Sequence, residues 1–345
     1  MSNQLPQVEY RRLGNSGLRV SVPILGAMSF GSDKWAPWVI NEDKALPLLK
    51  AAWDRGITTW DTANVYSNGE SERIIAKAIK KYNIPRSKLI ILTKANGLVH
   101  EDPGVRTMMF PKLRDTRDYL NMSGLSRQAL FQQVEASLER LEVDYIDLLQ
   151  IHRCDMNTPF EETMCALNDL VRSGKVRYIG ASSMWAWQFA EYQHAAEKNG
   201  WTKFISMQNH YSLLYREEER EMNKYCNHTG VGLIPWSPLA AGQLARPLGE
   251  TSVREDTAKG TPFEMKKSDA DKEIVNRVEK LAKQKGWAMG QVAQAWINTK
   301  VSSPIIGFSS AARMEEAIIP DKKLTEEEIK YLEEPYAPKP IQGHM

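Results

Sequence analysis

The chain has 345 residues, of which 42% are apolar and 26% charged, and its formal charge is only +2. That balance suits a soluble globular protein and gives no reason to expect nucleic acid or an anionic membrane as a partner. Three cysteines, Cys154, Cys165 and Cys226, occur without CxxC spacing. A disulfide framework is therefore not expected, and a reducing, cytoplasmic setting fits. The polar start lacks the apolar core of a signal peptide, and no run of eighteen apolar residues suggests a membrane span.

Residues 9–11 and 18–20 flank Asn15-Ser16-Gly17, a pattern that predicts a β-hairpin. An apolar strand follows at 23–27. A helix is expected at 43–55, closed by Gly56, and a second strand at 58–60. Ser67-Asn68-Gly69 precedes a helix at 70–82, and the third strand covers 88–93. Residues 95–124 read as a long polar loop with Pro103, Gly104 and Pro111; loops of that length inside a compact domain are usually functional or mobile. Ser126 opens an amphipathic helix at 127–141. The fourth strand, 145–151, ends at His152, and a helix at 160–173 has Gly174 as its C-cap. A strand at 176–180 and a helix at 187–198 come next, then strands at 204–207 and 232–235. A second long loop spans 239–268. Helices at 271–285 and 291–299 precede the eighth strand, 303–306, and a last helix follows Ser309 and Ser310.

Eight strand–helix units in order, with no internal repeat, point to a closed (β/α)8 TIM barrel rather than an open sheet. The N-terminal hairpin, long active-site loops and extra helices decorate it. No linker divides the chain, so residues 1–345 read as one domain. Chemistry in such barrels sits at the C-terminal strand ends. Asp61, Lys94, His152, Ser182, Ser183, Gln208, Trp236, Ser237 and Ser309 all fall there.

The segment from Gly56 to Tyr66 and the run Leu89 to Lys94 each end a buried strand in polar residues. A phenol titrates near pH 10 in water. An ammonium beside it favours the phenolate and makes the phenol a better acid. Asp61 would hold Lys94, Lys94 would acidify Tyr66, and His152 would hydrogen-bond a carbonyl oxygen as charge develops there. These groups supply no hydride, so a reduction needs a nicotinamide. A buried Asp–Lys pair alone is as common for structure as for chemistry, and a lone strand-end His is more often a satisfied polar residue. All four at the ends of strands two, three and four favour a site.

No GxGxxG occurs; Gly230-Val231-Gly232 enters a strand rather than leaving one, which argues against a Rossmann fingerprint. The six histidines are scattered, without an HExxH pattern, so no metal is expected. Ser309-Ser310 begins a helix after Gly307, a place where phosphate can bind, and Arg313 on its first turn suits a monoester phosphate. A plain serine cap with a solvated arginine is the commoner arrangement.

These residues resemble the aldo-keto reductase superfamily from about Tyr10 to Ala317, and most of all its fungal and bacterial aryl-alcohol dehydrogenase-like members. The versiconal hemiacetal acetate reductase group is similar too. The resemblance implies that Asp61, Tyr66, Lys94 and His152 form the catalytic tetrad, with NADPH giving hydride while the tyrosine protonates the oxygen. It implies cofactor contacts from Gly26, Ala27, Met28 and Asp61, and from Ser182, Ser183 and Gln208 at the nicotinamide amide. Trp236 is matched to the aromatic that stacks on the nicotinamide, and Ser237, Pro238, Leu239 and Gly242 to the pyrophosphate segment. Gly307, Ser309, Arg313 and Glu316 are matched to the adenosine-phosphate segment. Ser183 stands where the family usually has asparagine, Ser310 where a basic residue is frequent, and Ala317 where asparagine is frequent. Arg313 favours NADPH over NADH. The function so implied is NADPH-dependent reduction of aldehydes or ketones, aromatic or bulky ones, with Met28, Trp35 or Trp38, and Trp185 or Trp187 lining the pocket. The alternative is an NADPH-binding sensor resembling potassium-channel β-subunits.

Overall fold

The computed structural model describes residues 7–261, 264 and 266–344. Strands β1 (Glu9–Arg12) and β2 (Arg19–Val22) form the antiparallel hairpin, in a register that pairs Glu9 with Val22. Eight parallel strands follow: β3 (Ile24–Gly26), β4 (Thr59–Asp61), β5 (Ile90–Ala95), β6 (Ile146–Ile151), β7 (Val176–Ser182), β8 (Ser206–Gln208), β9 (Gly232–Leu233) and β10 (Ile305–Ile306). They run side by side in chain order, with β10 returning to β3. The Ser303 N–H donates to Leu233 O at 3.4 Å and the Ile305 N–H to Pro235 O at 3.0 Å. That two-residue step is the spacing of a parallel ladder, and it closes β9 onto β10. The expected TIM barrel is therefore the observed fold.

The helices are α1 (Glu42–Asp54), α2 (Glu70–Lys81), α3 (Arg127–Leu141), α4 (Phe160–Arg172), α5 (Ala186–Asn199), α6 (Met222–Thr229), α7 (Val253–Ala258), α8 (Asp269–Lys285), α9 (Met289–Ile297), α10 (Ala311–Glu316) and α11 (Glu326–Glu333). Their starts follow local chemistry. Ser126 accepts from the Ala129 N–H to open α3, and Ser268 and Asp271 form a capping box for α8. Three helices went unforeseen: α6, α7 and α11 are short, and a short helix gives little periodicity to read. The two long loops also hold more structure than expected. The first contains 3-10 turns at Thr107–Met109 and Pro111–Asp115; the second contains a 3-10 segment at Ala240–Ala245 and then α7.

The barrel interior is layered. Leu13 and Val20 of the hairpin pack with Ile24, Leu92, Leu148, Ile234 and Ile305 in one buried apolar cluster, so the hairpin plugs the N-terminal end. Side chains two apart on a strand point the same way. Above Leu92 and Leu148 therefore stand Lys94 and Gln150, which are register partners across β5 and β6. Above these, His152 reaches the mouth. The same alternation that buries the apolar layer places the polar one.

Candidate active site

Asp61 closes β4, Lys94 sits in β5, and Tyr66 opens a 3-10 turn, Tyr66–Gly69, just beyond β4. That turn is tightly held. Ser67 and Asn68 take left-handed φ of 47° and 52°. The Asn68 amide donates to Asp102 O at 2.8 Å and Val105 O at 2.7 Å, while Ser67 Oγ accepts from the Ser32 N–H at 3.1 Å. Two strained residues held by neighbouring loops put the phenol over the end of β5.

The Lys94 ammonium is fully buried and donates three hydrogen bonds: 2.6 Å to Asp61 Oδ2, 2.8 Å to Thr62 O and 3.3 Å to the Tyr66 hydroxyl. Burial alone would drive its pKa down. The Asp61 carboxylate, and behind it Tyr66, outweigh that and hold it above the ordinary lysine value. The other carboxylate oxygen, Asp61 Oδ1, accepts from Gln150 Nε2 at 3.0 Å and Gln208 Nε2 at 2.9 Å. Gln208 Nε2 also donates to Gln150 Oε1 at 2.8 Å. Both carboxylate oxygens are thus engaged, and the carboxylate is aimed at the ammonium.

His152 follows β6 with its ring centroid 6.0 Å from that of Tyr66, nearly perpendicular at 81°. Burial first, then the charges of Arg153 and Lys94, push its pKa well below the ordinary histidine value. A neutral imidazole keeps one N–H donor. Around the mouth a buried ammonium, a phenol and a neutral imidazole converge on one space. They can hydrogen-bond an electron-rich oxygen and hand it a proton.

The residues matched to cofactor contacts fall into three groups. Gly26 ends β3 and Ala27 follows it, its N–H donating to Asp61 O at 2.8 Å, with Met28 half-buried beyond. Ser182 and Gln208 are register partners, and Ser182 Oγ donates to Gln208 O at 2.7 Å. The Gln208 amide N–H groups are committed to Asp61 and Gln150. Ser183, at φ 40°, accepts from Trp236 Nε1 at 2.9 Å. Ser237, at φ 53°, starts the turn that carries Pro238, Leu239 and Gly242. Gly307 lies against the end of β3, since a Cβ built on Gly26 would be 3.5 Å from Gly307 N. Beyond it Ser309, Arg313 and Glu316 are exposed, and Arg313 pairs with Glu316 at 3.4 Å. Ser310 caps the six-residue α10 by accepting from the Arg313 N–H, so the helix end is held by its own cap. Trp187 packs edge-on against Phe160, whereas Trp35 and Trp38 meet edge-to-face at 6.0 Å.

Gln150 is the site residue that sequence reasoning missed. Its signal was present: a polar side chain in β6 on the same face as the apolar Ile146 and Leu148. Among the described residues no group of three His, Cys, Asp or Glu could hold a metal ion, and no helix is long and apolar enough to cross a membrane.

The profile of the aldo/keto reductase family matches residues 24–337. An aldo-keto reductase of Fusarium vanettenii is 58% identical over 98% of this chain and 94% of its own length. The versiconal hemiacetal acetate reductase of Aspergillus parasiticus is 53% identical over 97% of this chain and 98% of its own. A Schizosaccharomyces pombe protein named as an aryl-alcohol dehydrogenase is 49% identical over the full length of both.

Proposed function

The chain belongs to the aldo-keto reductase family, oxidoreductases of carbonyl and alcohol groups that use a nicotinamide cofactor, and from that premise we propose that it reduces aromatic or bulky aldehydes and ketones with NADPH, Tyr66 giving the proton. The observation that carries this is the buried ammonium of Lys94, fixed to Asp61 at 2.6 Å and reaching the Tyr66 hydroxyl at 3.3 Å. We read the whole chain as one barrel domain working in the cytoplasm, where its three free cysteines suit a reducing medium.

The donor set fits the cofactor. Ser183 Oγ accepts the Trp236 indole N–H, which leaves its own proton to give to a carboxamide oxygen, the task an asparagine performs elsewhere in the family. Trp236 keeps partial exposure and can offer a ring face to a nicotinamide. The hydride comes from the nicotinamide when the cofactor is bound. The chain does the rest. His152 donates its single N–H to the carbonyl oxygen and fixes its approach. Tyr66 transfers its proton to the same oxygen, and Lys94 stabilises the phenolate left behind. Asp61, clamped by Gln150 and Gln208, keeps the ammonium in place. Arg313 offers its guanidinium to the 2′-phosphate that distinguishes NADPH from NADH. Trp185, 40% exposed just beyond β7, gives the mouth an apolar edge suited to an aromatic substrate.

The test is turnover of 4-nitrobenzaldehyde with NADPH, followed by loss of cofactor absorbance. Reduction to the alcohol is expected. Tight NADPH binding with no turnover on a panel of aromatic and bulky aldehydes would overturn the reading and leave a sensor role.

A further inference from the structure

Behind Trp236 the rings continue. The His210 ring lies 4.1 Å from that of Trp236 at 11°, and the Tyr215 ring lies 4.2 Å from His210 at 9°. Three near-parallel rings thus form one column, with His210 in the middle. The backbone builds it. His210 and Trp236 are bridge partners extending β8 and β9, which sets their side chains abreast. Ser212 and Tyr215 exchange backbone hydrogen bonds of 3.1 Å, a tight reversal that folds Tyr215 back over His210. The Tyr215 hydroxyl then accepts from the Gln342 N–H at 2.8 Å, so a segment near the C-terminus pins the outer ring.

His210 is 2% exposed, and neither of its ring nitrogens has a hydrogen-bond partner. Nothing polar holds it; the two flanking rings do. Burial, with the charges of Lys339, Arg254 and Arg153, pushes its pKa down to about 3, so the column contains no cation behind the indole. The indole is held on two sides: His210 covers one face and its N–H is bonded to Ser183 at 2.9 Å, while Gly343 lies near its Cζ2 edge. A nicotinamide stacked on this indole would take the face opposite His210.

We propose that His210 is a positioning residue: by backing Trp236 it sets the plane on which the nicotinamide stacks, and with it the height of the reacting ring relative to the Ser183 hydroxyl and Tyr66. This rests on the carbonyl-reductase reading. His210 touches neither cofactor nor substrate and acts through Trp236. The requirement is for a flat, neutral ring, so phenylalanine meets it and alanine does not.

The experiment is a fluorescence titration of the full-length protein with NADPH, together with steady-state kinetics and thermal melts of wild type, His210→Ala and His210→Phe. Removing one offset-stacked partner is expected to weaken NADPH roughly two- to tenfold and to lower kcat in His210→Ala. His210→Phe is expected to restore the affinity. A His210→Ala protein that melts earlier but binds NADPH as wild type does would overturn the proposal and leave the column as packing alone. Equal weakening in both variants would also overturn it, because the ring plane would then not be what matters. A wild-type protein that does not bind NADPH would fail the carbonyl-reductase reading itself, a separate result.

Discussion

Asp61→Asn isolates the electrostatics of the site. Asp61 Oδ2 accepts from the Lys94 ammonium at 2.6 Å, and Oδ1 accepts from two glutamine amides at 3.0 and 2.9 Å. Asparagine has one oxygen and one NH2. Whichever way it turns, its NH2 meets a donor, either the ammonium or the pair of glutamine amides. The ion pair itself, at an effective dielectric near 20, has a gross attraction of about 6 kcal/mol. Removing one partner of a buried pair costs about 3–5 kcal/mol. For a chain of this size each kcal/mol lowers the melting temperature by about 2 °C, so a fall of roughly 6–10 °C is expected. The loss also removes the main influence holding the Lys94 pKa up. The variant lysine therefore gives up its proton at lower pH, and the alkaline limb of the rate profile moves down in pH. At pH values where the variant lysine has lost its proton, kcat falls by about 10²-fold or more. Thermal melts followed by circular dichroism and kcat across the pH range measure both effects. A variant that melts within about 2 °C of wild type and keeps the same alkaline limb would refute the claim that Asp61 holds this lysine charged.

Tyr66→Phe should lose carbonyl reduction by about 10²–10⁴-fold while still quenching NADPH fluorescence; wild-type turnover in this variant would exclude the phenol as proton donor. Arg313→Ala should weaken NADPH by about 1–3 kcal/mol, the range for a lost charged hydrogen bond, and leave NADH little changed; equal loss of both cofactors would remove the 2′-phosphate contact. The His210 pKa lies at about 3 in the folded chain against 6.5 for an ordinary histidine. Below pH 6.5 the unfolded chain takes a proton that the folded one refuses, so this group's contribution to stability is complete above 6.5 and declines as the pH falls towards 3. The slope is at most about 1.4 kcal/mol per pH unit. On acidification by two pH units from there, wild type should lose up to about 3 kcal/mol more than His210→Phe, and parallel denaturation curves would contradict a neutral buried imidazole.

Much of this architecture was legible because it is written in short-range patterns. The hairpin turn, the cap at Ser126 and the strand ends at Asp61, Lys94 and His152 are each read within about ten residues. The short helices α6, α7 and α11 escaped because six to eight residues hardly define a helical period. Gln208 was expected at a cofactor amide on the strength of resemblance; that its N–H groups also bond Asp61 and Gln150 is a long-range partnership that no local pattern announces.

The sequence by itself determined the order of the strands, the longer helices between them and the polar residues at the strand ends, because alternation along a strand is a local property. Tertiary structure alone decided which partners those residues have. Gln150 and Gln208 reach Asp61 across 89 and 147 residues of chain, and the ring column joins Trp236 to His210 and Tyr215, then to Gln342. Such contacts arise when a closed barrel brings distant strand ends to one rim. No spacing in the sequence encodes that convergence, because it depends on how the sheet closes rather than on any single strand.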